Sequence, residues 1–123
     1  MNESTAKELL ALLASQFGVC GPNFRFNRTN RGLYYPGTKT VTIARPYQNW
    51  GKRTCEHSLL HEFAHHLADE RAIKANLRPD GHGNRFKNAL WETVTAYYGD
   101  ARKYPWGTEY TTVRAYGERR LSE

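Results

Sequence analysis

Cysteine and methionine are scarce in this 123-residue chain, which contains Cys20, Cys55 and, as its single methionine, Met1. No C-x-x-C pair is present, so a zinc ribbon built on paired cysteines is excluded. A secretory signal is not indicated, because Glu3 and Glu8 occupy the place where basic residues would precede an apolar run. We therefore expect free thiols rather than a disulfide, in an intracellular, cytoplasmic protein.

Long hydrophobic runs, internal repeats and low-complexity tracts are also missing, so we expect no association with a membrane. Acidic residues are fewer than basic ones, 12 against 18, and the formal net charge is +6. Such a charge favours polyanionic partners. Basic and aromatic side chains occur together in two stretches, residues 45–53 and 102–120. The candidate nucleic-acid-binding residues lie in the first stretch and are Arg45, Tyr47, Trp50, Lys52 and Arg53. Phosphates attract cations and unpaired bases stack on rings, so single-stranded DNA is a candidate partner; a solvated surface is the alternative.

Apolar periodicity predicts three helices, over residues 6–17, 54–72 and 84–98. Thr5 and Glu8 have the spacing of a capping box at the start of the first helix. Thr54 is the expected N-cap of the second, and Gly99 follows the end of the third. Between the first two helices, residues 23–28 and 31–44 have the alternation and the Pro-Gly turn of strands. The predicted class is α+β, with a small antiparallel sheet.

The most informative pattern is His61-Glu62-x-x-His65, two imidazoles four residues apart with a glutamate between them. On an α-helix such positions lie about 40° apart and roughly 6 Å along the axis, so both rings can reach one metal ion. Glu62 lies about 100° from His61, beside the ion, as a general base would. The apolar stripe of this helix lies on its other side, which leaves the histidine face for a cleft or, alternatively, for solvent.

A catalytic zinc ion needs a third protein ligand. The candidates are His57, His66, Asp69, His82 and Glu92. His57 lies about 12 Å of helical rise from His65, and His66 points roughly 100° away from it, so geometry removes both. His82 fits best, because the glycines on either side of it let the backbone bring the imidazole close to another element. Asp69 and Glu92 stay as alternatives, as does a turn histidine without a metal.

Two signatures, His61-Glu62-x-x-His65 and, after sixteen intervening residues, His82-Gly83-x-x-Phe86, resemble those of the SprT-like metalloprotease family, to which the Spartan DNA-protein crosslink proteases belong. The resemblance covers residues 1–100 and implies a zincin-like catalytic domain. Residues 101–123 would form a basic and aromatic extension packed on the same domain.

By this resemblance His61, His65 and His82 bind one Zn²⁺ ion and Glu62 is the catalytic base. The chain departs from many SprT-like proteins in having no zinc ribbon. A metzincin is not indicated, because that family has a methionine downstream of the motif, whereas this chain has Met1 alone.

In zincin-like proteases the strand before the ligand helix borders the cleft and pairs with an extended substrate. The corresponding candidate substrate-binding residues are Thr40, Val41, Thr42, Ile43 and Ala44. We therefore predict a zinc-dependent metallopeptidase that acts on proteins or peptides, including DNA-associated ones. The alternatives are a nucleic-acid-binding module with structural zinc and an inactive scaffold.

Overall fold

The computed structural model describes residues 2–28, 31–44 and 52–104. These segments form an α+β structure, so the predicted class and the predicted order of elements, a helix, a small sheet and two further helices, are confirmed. Along the chain the elements are α1 (Glu3–Phe17), β1 (Asn23–Asn27), β2 (Leu33–Tyr35), β3 (Thr40–Ala44), α2 (Lys52–Lys74), α3 (Asn84–Tyr98) and a short 3-10 helix (Ala101–Lys103).

Helix α1 begins earlier than the sequence pattern predicted. The Oδ1 atom of Asn2 accepts a hydrogen bond of 2.8 Å from the backbone N–H of Thr5, so Asn2 is the N-cap. The predicted cap at Thr5 is wrong, because asparagine is at least as good a cap as threonine and here lies one turn further upstream. The predicted end at Phe17 is confirmed.

The sheet is mixed rather than antiparallel. Its strand order is β1-β3-β2, with β3 parallel to β1 and antiparallel to β2. The chain leaves β1, forms β2 at the far edge, and returns through a hairpin so that β3 lies between the two. Burial explains this order: every residue of β3 is buried, whereas β2 is partly exposed. The fully buried strand thus occupies the centre.

The predicted substrate edge, Thr40–Ala44, is therefore the central strand, and its prediction as an edge is wrong. Backbone groups of β3 already pair with Asn23–Asn27 on one side and with Leu33–Tyr35 on the other. Thr42, which is completely buried, ties the three strands together: its Oγ1 accepts a hydrogen bond of 2.7 Å from Asn27 Nδ2 and donates one of 2.9 Å to Leu33 O. Among the described strands, the outer edges are those of β1 and β2.

Helices α2 and α3 pack against each other and supply most of the core. α2 extends two residues beyond the prediction at each end, so Thr54 lies within the helix and is not its N-cap. The predicted limits of α3 are confirmed, and Gly99 follows it with φ 78°. The fully buried apolar residues of α2 include Leu59, Leu60, Phe63, Ala64 and Leu67. Each large side chain of this kind contributes about 1.5–3 kcal/mol on burial.

Beyond α3, Ala101 and Tyr104 are buried in the same core. The remainder of the predicted extension, residues 105–123, lies outside the described residues. So do Arg45, Tyr47 and Trp50, and also the side chains of Lys52 and Arg53, although the backbone of the last two belongs to α2. In the part of the chain that is described, no helix has the length and apolar character needed to cross a membrane.

Candidate metal centre

Three histidines from two parts of the chain converge at one point. His61 and His65 lie one turn apart on α2, and His82 lies in the loop before α3. One ring nitrogen from each falls within 4.8 Å of those of the others, and the Nε2 atoms of His65 and His82 are 3.2 Å apart. Two nitrogens that bind one tetrahedral zinc ion at about 2.0–2.1 Å would be separated by about 3.3 Å. The His65–His82 pair therefore has the spacing expected at a zinc ion, and the three imidazoles are close enough together to be candidate ligands of one ion.

The loop that carries His82 is held by Asp80. Its Oδ2 accepts a hydrogen bond of 2.9 Å from the backbone N–H of Arg85, which caps the start of α3. A Cβ atom on Gly83 would lie 2.7 Å from the same Oδ2, so a side chain there would displace the cap. Gly81 has φ +64°, a conformation that favours glycine. Both glycines thus serve the turn that brings His82 to α2, as the sequence predicted.

Phe86 forms the wall behind the three imidazoles. Its ring is stacked on that of His65, with centroids 4.2 Å apart, and lies 5.0 Å from His61 and 4.7 Å from His82. The side chain is 1% exposed and belongs to the hydrophobic core. The sequence pattern placed Phe86 in the second signature and on the apolar face of α3, but no role in the site was predicted for it. Its position four residues after His82 is the feature of the sequence that could have indicated such a role.

Burial sets the protonation of the histidines on α2. Burial, together with the neighbouring imidazoles, lowers the pKa of His61 to about 3 and that of His65 to about 4. At neutral pH these rings are therefore uncharged, which is the form that binds a metal ion. Two histidines on a solvated surface would not be desolvated to this extent, so burial would not lower their pKa values in this way.

Glu62 is 7% exposed, and burial raises its pKa to about 7, against the opposing charge of Arg31. A carboxyl group with a pKa near the working pH is well suited to take up and release a proton. Glu62 and His65 both border a cavity of about 310 Å³, which opens between α2, the β2–β3 hairpin and the loop before α3. The candidate base and one of the candidate ligands thus face one space.

The start of β2 approaches α2 closely at Gly32. A Cβ atom there would lie 2.6 Å from Ser58 Oγ, 3.0 Å from Thr42 O and 3.2 Å from Glu62 Oε2. The contact at 2.6 Å would force the Ser58 side chain to move, and the backbone carbonyl of Thr42 at 3.0 Å cannot turn away. The absence of a side chain at position 32 therefore lets the sheet pack against the helix beside Glu62.

We expect Gly32→Ala to lower the free energy of unfolding by about 1–3 kcal/mol, since the added methyl group overpacks this contact. Urea denaturation followed by circular dichroism would measure the change. Gly37→Ala is the matched control, because a Cβ atom at Gly37 meets nothing within 4 Å. Adding Ser58→Ala to Gly32→Ala should restore part of the loss; equal stability of Gly32→Ala and the control would refute the close approach.

His66 has a structural role. It is completely buried, and its Nε2 lies 2.7 Å from Cys20 O while its Nδ1 lies 2.8 Å from the Tyr34 hydroxyl. Because a carbonyl can only accept, Nε2 carries the proton and Nδ1 accepts from the tyrosine. Both nitrogens are thus engaged, which agrees with the exclusion of His66 from the ligand set.

Cys20, His66 and Glu70 form a second cluster with ligand atoms within 4.8 Å of one another. Its members are engaged with each other and with Lys39, whose Nζ lies 2.8 Å from Glu70 Oε1 and 3.8 Å from Cys20 Sγ. This cluster therefore joins α2 to the end of α1 and the sheet. Both cysteines are free thiols, as predicted, and burial raises the pKa of the Cys55 thiol, so it is a poor nucleophile.

The remaining third-ligand candidates lie apart from the three histidines. His57 packs against Tyr104, with ring centroids 5.2 Å apart. Glu92 forms an ion pair with Arg71. Asp69 borders the cavity beside Glu62. Within the described segments, the three histidines form a group that no Cys, Asp or Glu donor joins.

No protein-family model matches the chain, and no curated protein or solved structure matches it either.

Proposed function

We propose that this chain is a zinc-dependent metallopeptidase with a zincin-like catalytic domain of the SprT-like kind. The observation that carries the proposal is the convergence of His61, His65 and His82 beside a buried glutamate and an open cavity. His61 and His65 would hold the ion from one face of α2, and His82 would hold it from the opposite side.

An open coordination position favours catalysis over a structural role. Structural zinc sites are closed by four protein ligands, whereas catalytic sites have three and leave the fourth position to water or substrate. Three histidines without a fourth Cys, Asp, Glu or His partner in the described part of the chain match the second arrangement. When bound, zinc would act as a Lewis acid that polarises the peptide carbonyl and makes water more acidic.

Glu62 would carry the proton during hydrolysis. Its carboxylate accepts a proton from the water that attacks the peptide carbonyl carbon, and returns it to the amine nitrogen as the C–N bond breaks. The products are a carboxylate and an amine, and Glu62 ends in its starting state. Burial raises the pKa of Glu62 and so makes its carboxylate a stronger proton acceptor than that of an exposed glutamate.

Cleavage by the zinc-loaded protein tests the proposal. Casein and the protein itself would be the substrates, each with and without single-stranded DNA, and Glu62→Gln would be the matched control. Fragments formed by the wild type and not by the control would support a metallopeptidase. No fragments under any condition, from protein with measured stoichiometric zinc, would favour a binding scaffold.

We also propose that the substrates include DNA-associated proteins, on the basis of the family resemblance and the net charge of +6. We expect the affinity for single-stranded DNA to fall steeply with salt, with a log–log slope of about −0.7 for each phosphate contact. Fluorescence anisotropy at several salt concentrations would measure the slope. Replacing Lys52 and Arg53 by Gln should reduce it, whereas a flat response in the wild type would exclude phosphate contacts.

A further inference from the structure

The cavity beside Glu62 and His65 also has room for part of a substrate. We propose that it binds one basic side chain, lysine or arginine, of the protein substrate, with Asp69 as the anionic partner. The identity of the ligand as part of a substrate rests on the proposed peptidase function, whereas the preference for a cationic group rests on the cavity itself.

The shape of the cavity suits a long side chain with an apolar stem. Its volume of about 310 Å³ is at the small end of ligand pockets, which run from about 300 to 1,000 Å³. Apolar parts of Leu33, Pro36, Ala68 and Pro79 line it. Lysine and arginine place their methylene groups on surfaces of this kind and keep their charged ends near a polar group.

The charges at the rim of the cavity largely neutralise one another. Asp80 Oδ2 accepts a hydrogen bond from the backbone of Arg85 and lies 4.0 Å from its guanidinium Nη1. The same Nη1 donates to Arg78 O over 2.8 Å. Asp80 and Arg85 are therefore committed to holding the loop and to each other, and neither offers an uncompensated charge to a ligand.

Asp69 differs from these residues. It is half-buried in the cavity wall, and within the described segments no hydrogen bond or ion pair reaches its carboxylate. Of the groups that face it, His66 is held neutral by burial, and Glu70 is paired with Lys39. Burial accordingly raises the pKa of Asp69, with Glu70 adding to the effect. A cation in the cavity would compensate this charge.

Asp69 would attract a cationic side chain only after that side chain has entered the cavity. The chain as a whole carries +6 and does not attract a basic protein by long-range electrostatics. In the cavity, however, the carboxylate is partly shielded from water, and a charge-assisted hydrogen bond there is stronger than one on an open surface. Asp69 is thus a specificity-determining residue in this scheme.

One small cation and its neutral counterpart test the cavity without any cleavage. n-Butylguanidinium copies the end of an arginine side chain, and n-butylurea is its uncharged analogue of similar shape. Binding to the zinc-loaded protein would be followed by amide chemical shifts in wild type, Asp69→Asn and Glu8→Gln, an exposed acidic position on α1. We expect n-butylguanidinium to bind the wild type and the Glu8→Gln control at least about tenfold more tightly than Asp69→Asn. Equal binding to all three proteins would overturn the inference.

A peptide library varied on both sides of the cleaved bond provides the second test. We expect wild type and Glu8→Gln to favour lysine or arginine at one position at least about tenfold, and Asp69→Asn to lose that preference. Cleavage without any basic preference would overturn the inference and leave the peptidase proposal intact. Binding of n-butylguanidinium that depends on Asp69, with no peptide cleaved, would reject the peptidase proposal and retain the cation-selective cavity.

Discussion

Replacement of Glu62 by glutamine is expected to reduce peptide cleavage by at least about a hundredfold. General acid–base catalysis contributes about 10²–10⁴-fold, and an amide can neither accept the proton of the attacking water nor return one to the amine. The substitution conserves shape, and the side chain it changes is 7% exposed, so the packing against Gly32 is retained. The loss should therefore appear in kcat with little change in KM.

Zinc content, measured by mass spectrometry of the metal, and the urea unfolding midpoint are the necessary controls for this substitution. Zinc content should match the wild type, because Glu62 is not one of the three converging donors. The midpoint should be no lower than that of the wild type, because glutamine removes a carboxylate whose burial opposes its charge. Glu8→Gln makes the same chemical change at an exposed position and should leave cleavage unaffected. A Glu62→Gln protein that cleaves at the wild-type rate would remove Glu62 from the role of base.

Replacement of His82 by alanine is expected to weaken zinc binding by at least about a hundredfold. Loss of the groups that only support metal ligands already costs about 10–100-fold, and a ligand contributes more. Competition with a chromophoric chelator would measure the affinity. Glu92→Gln is the matched control: Glu92 is paired with Arg71, so its replacement should leave zinc bound.

Whether the His82→Ala protein stays folded without zinc distinguishes a catalytic ion from a structural one. His82 is exposed in a loop and contributes little to the core, so zinc-free His82→Ala should keep its helical circular dichroism. Loss of folding together with loss of zinc would favour a structural ion, as in the binding-module alternative. Zinc held as tightly as in the wild type would exclude His82 and make Asp69 the better third ligand.

Local periodicity predicted the helices, and the spacing of His61 and His65 predicted that their rings would lie close together, because both depend on short-range geometry. The i, i+4 spacing of His61 and His65 requires nothing beyond one helix, and the limits of α3 were signalled by Gly99. The glycines around His82 likewise indicated a turn, although its contact with α2 depends on the packing of two helices.

The strand order of the sheet could not be predicted from local periodicity. The alternation of β1, β2 and β3 is compatible with several strand orders, and sequence proximity favours a simple antiparallel meander. β3 instead occupies the centre, because its five residues are all buried. The candidate edge at Thr40–Ala44 failed for this reason. Asp69 was considered as a ligand, whereas its place in a cavity wall depends on the hairpin across from α2.

Phe86 belongs both to the hydrophobic core and to the candidate metal centre. One face of its ring lies against His65, and the rest of the side chain is packed within the core. A smaller residue at this position would at once leave a void among the helices and remove the support behind the imidazoles. A substitution at Phe86 is therefore expected to disturb both the packing of the core and the positions of the imidazoles, and a flat, apolar ring serves both roles.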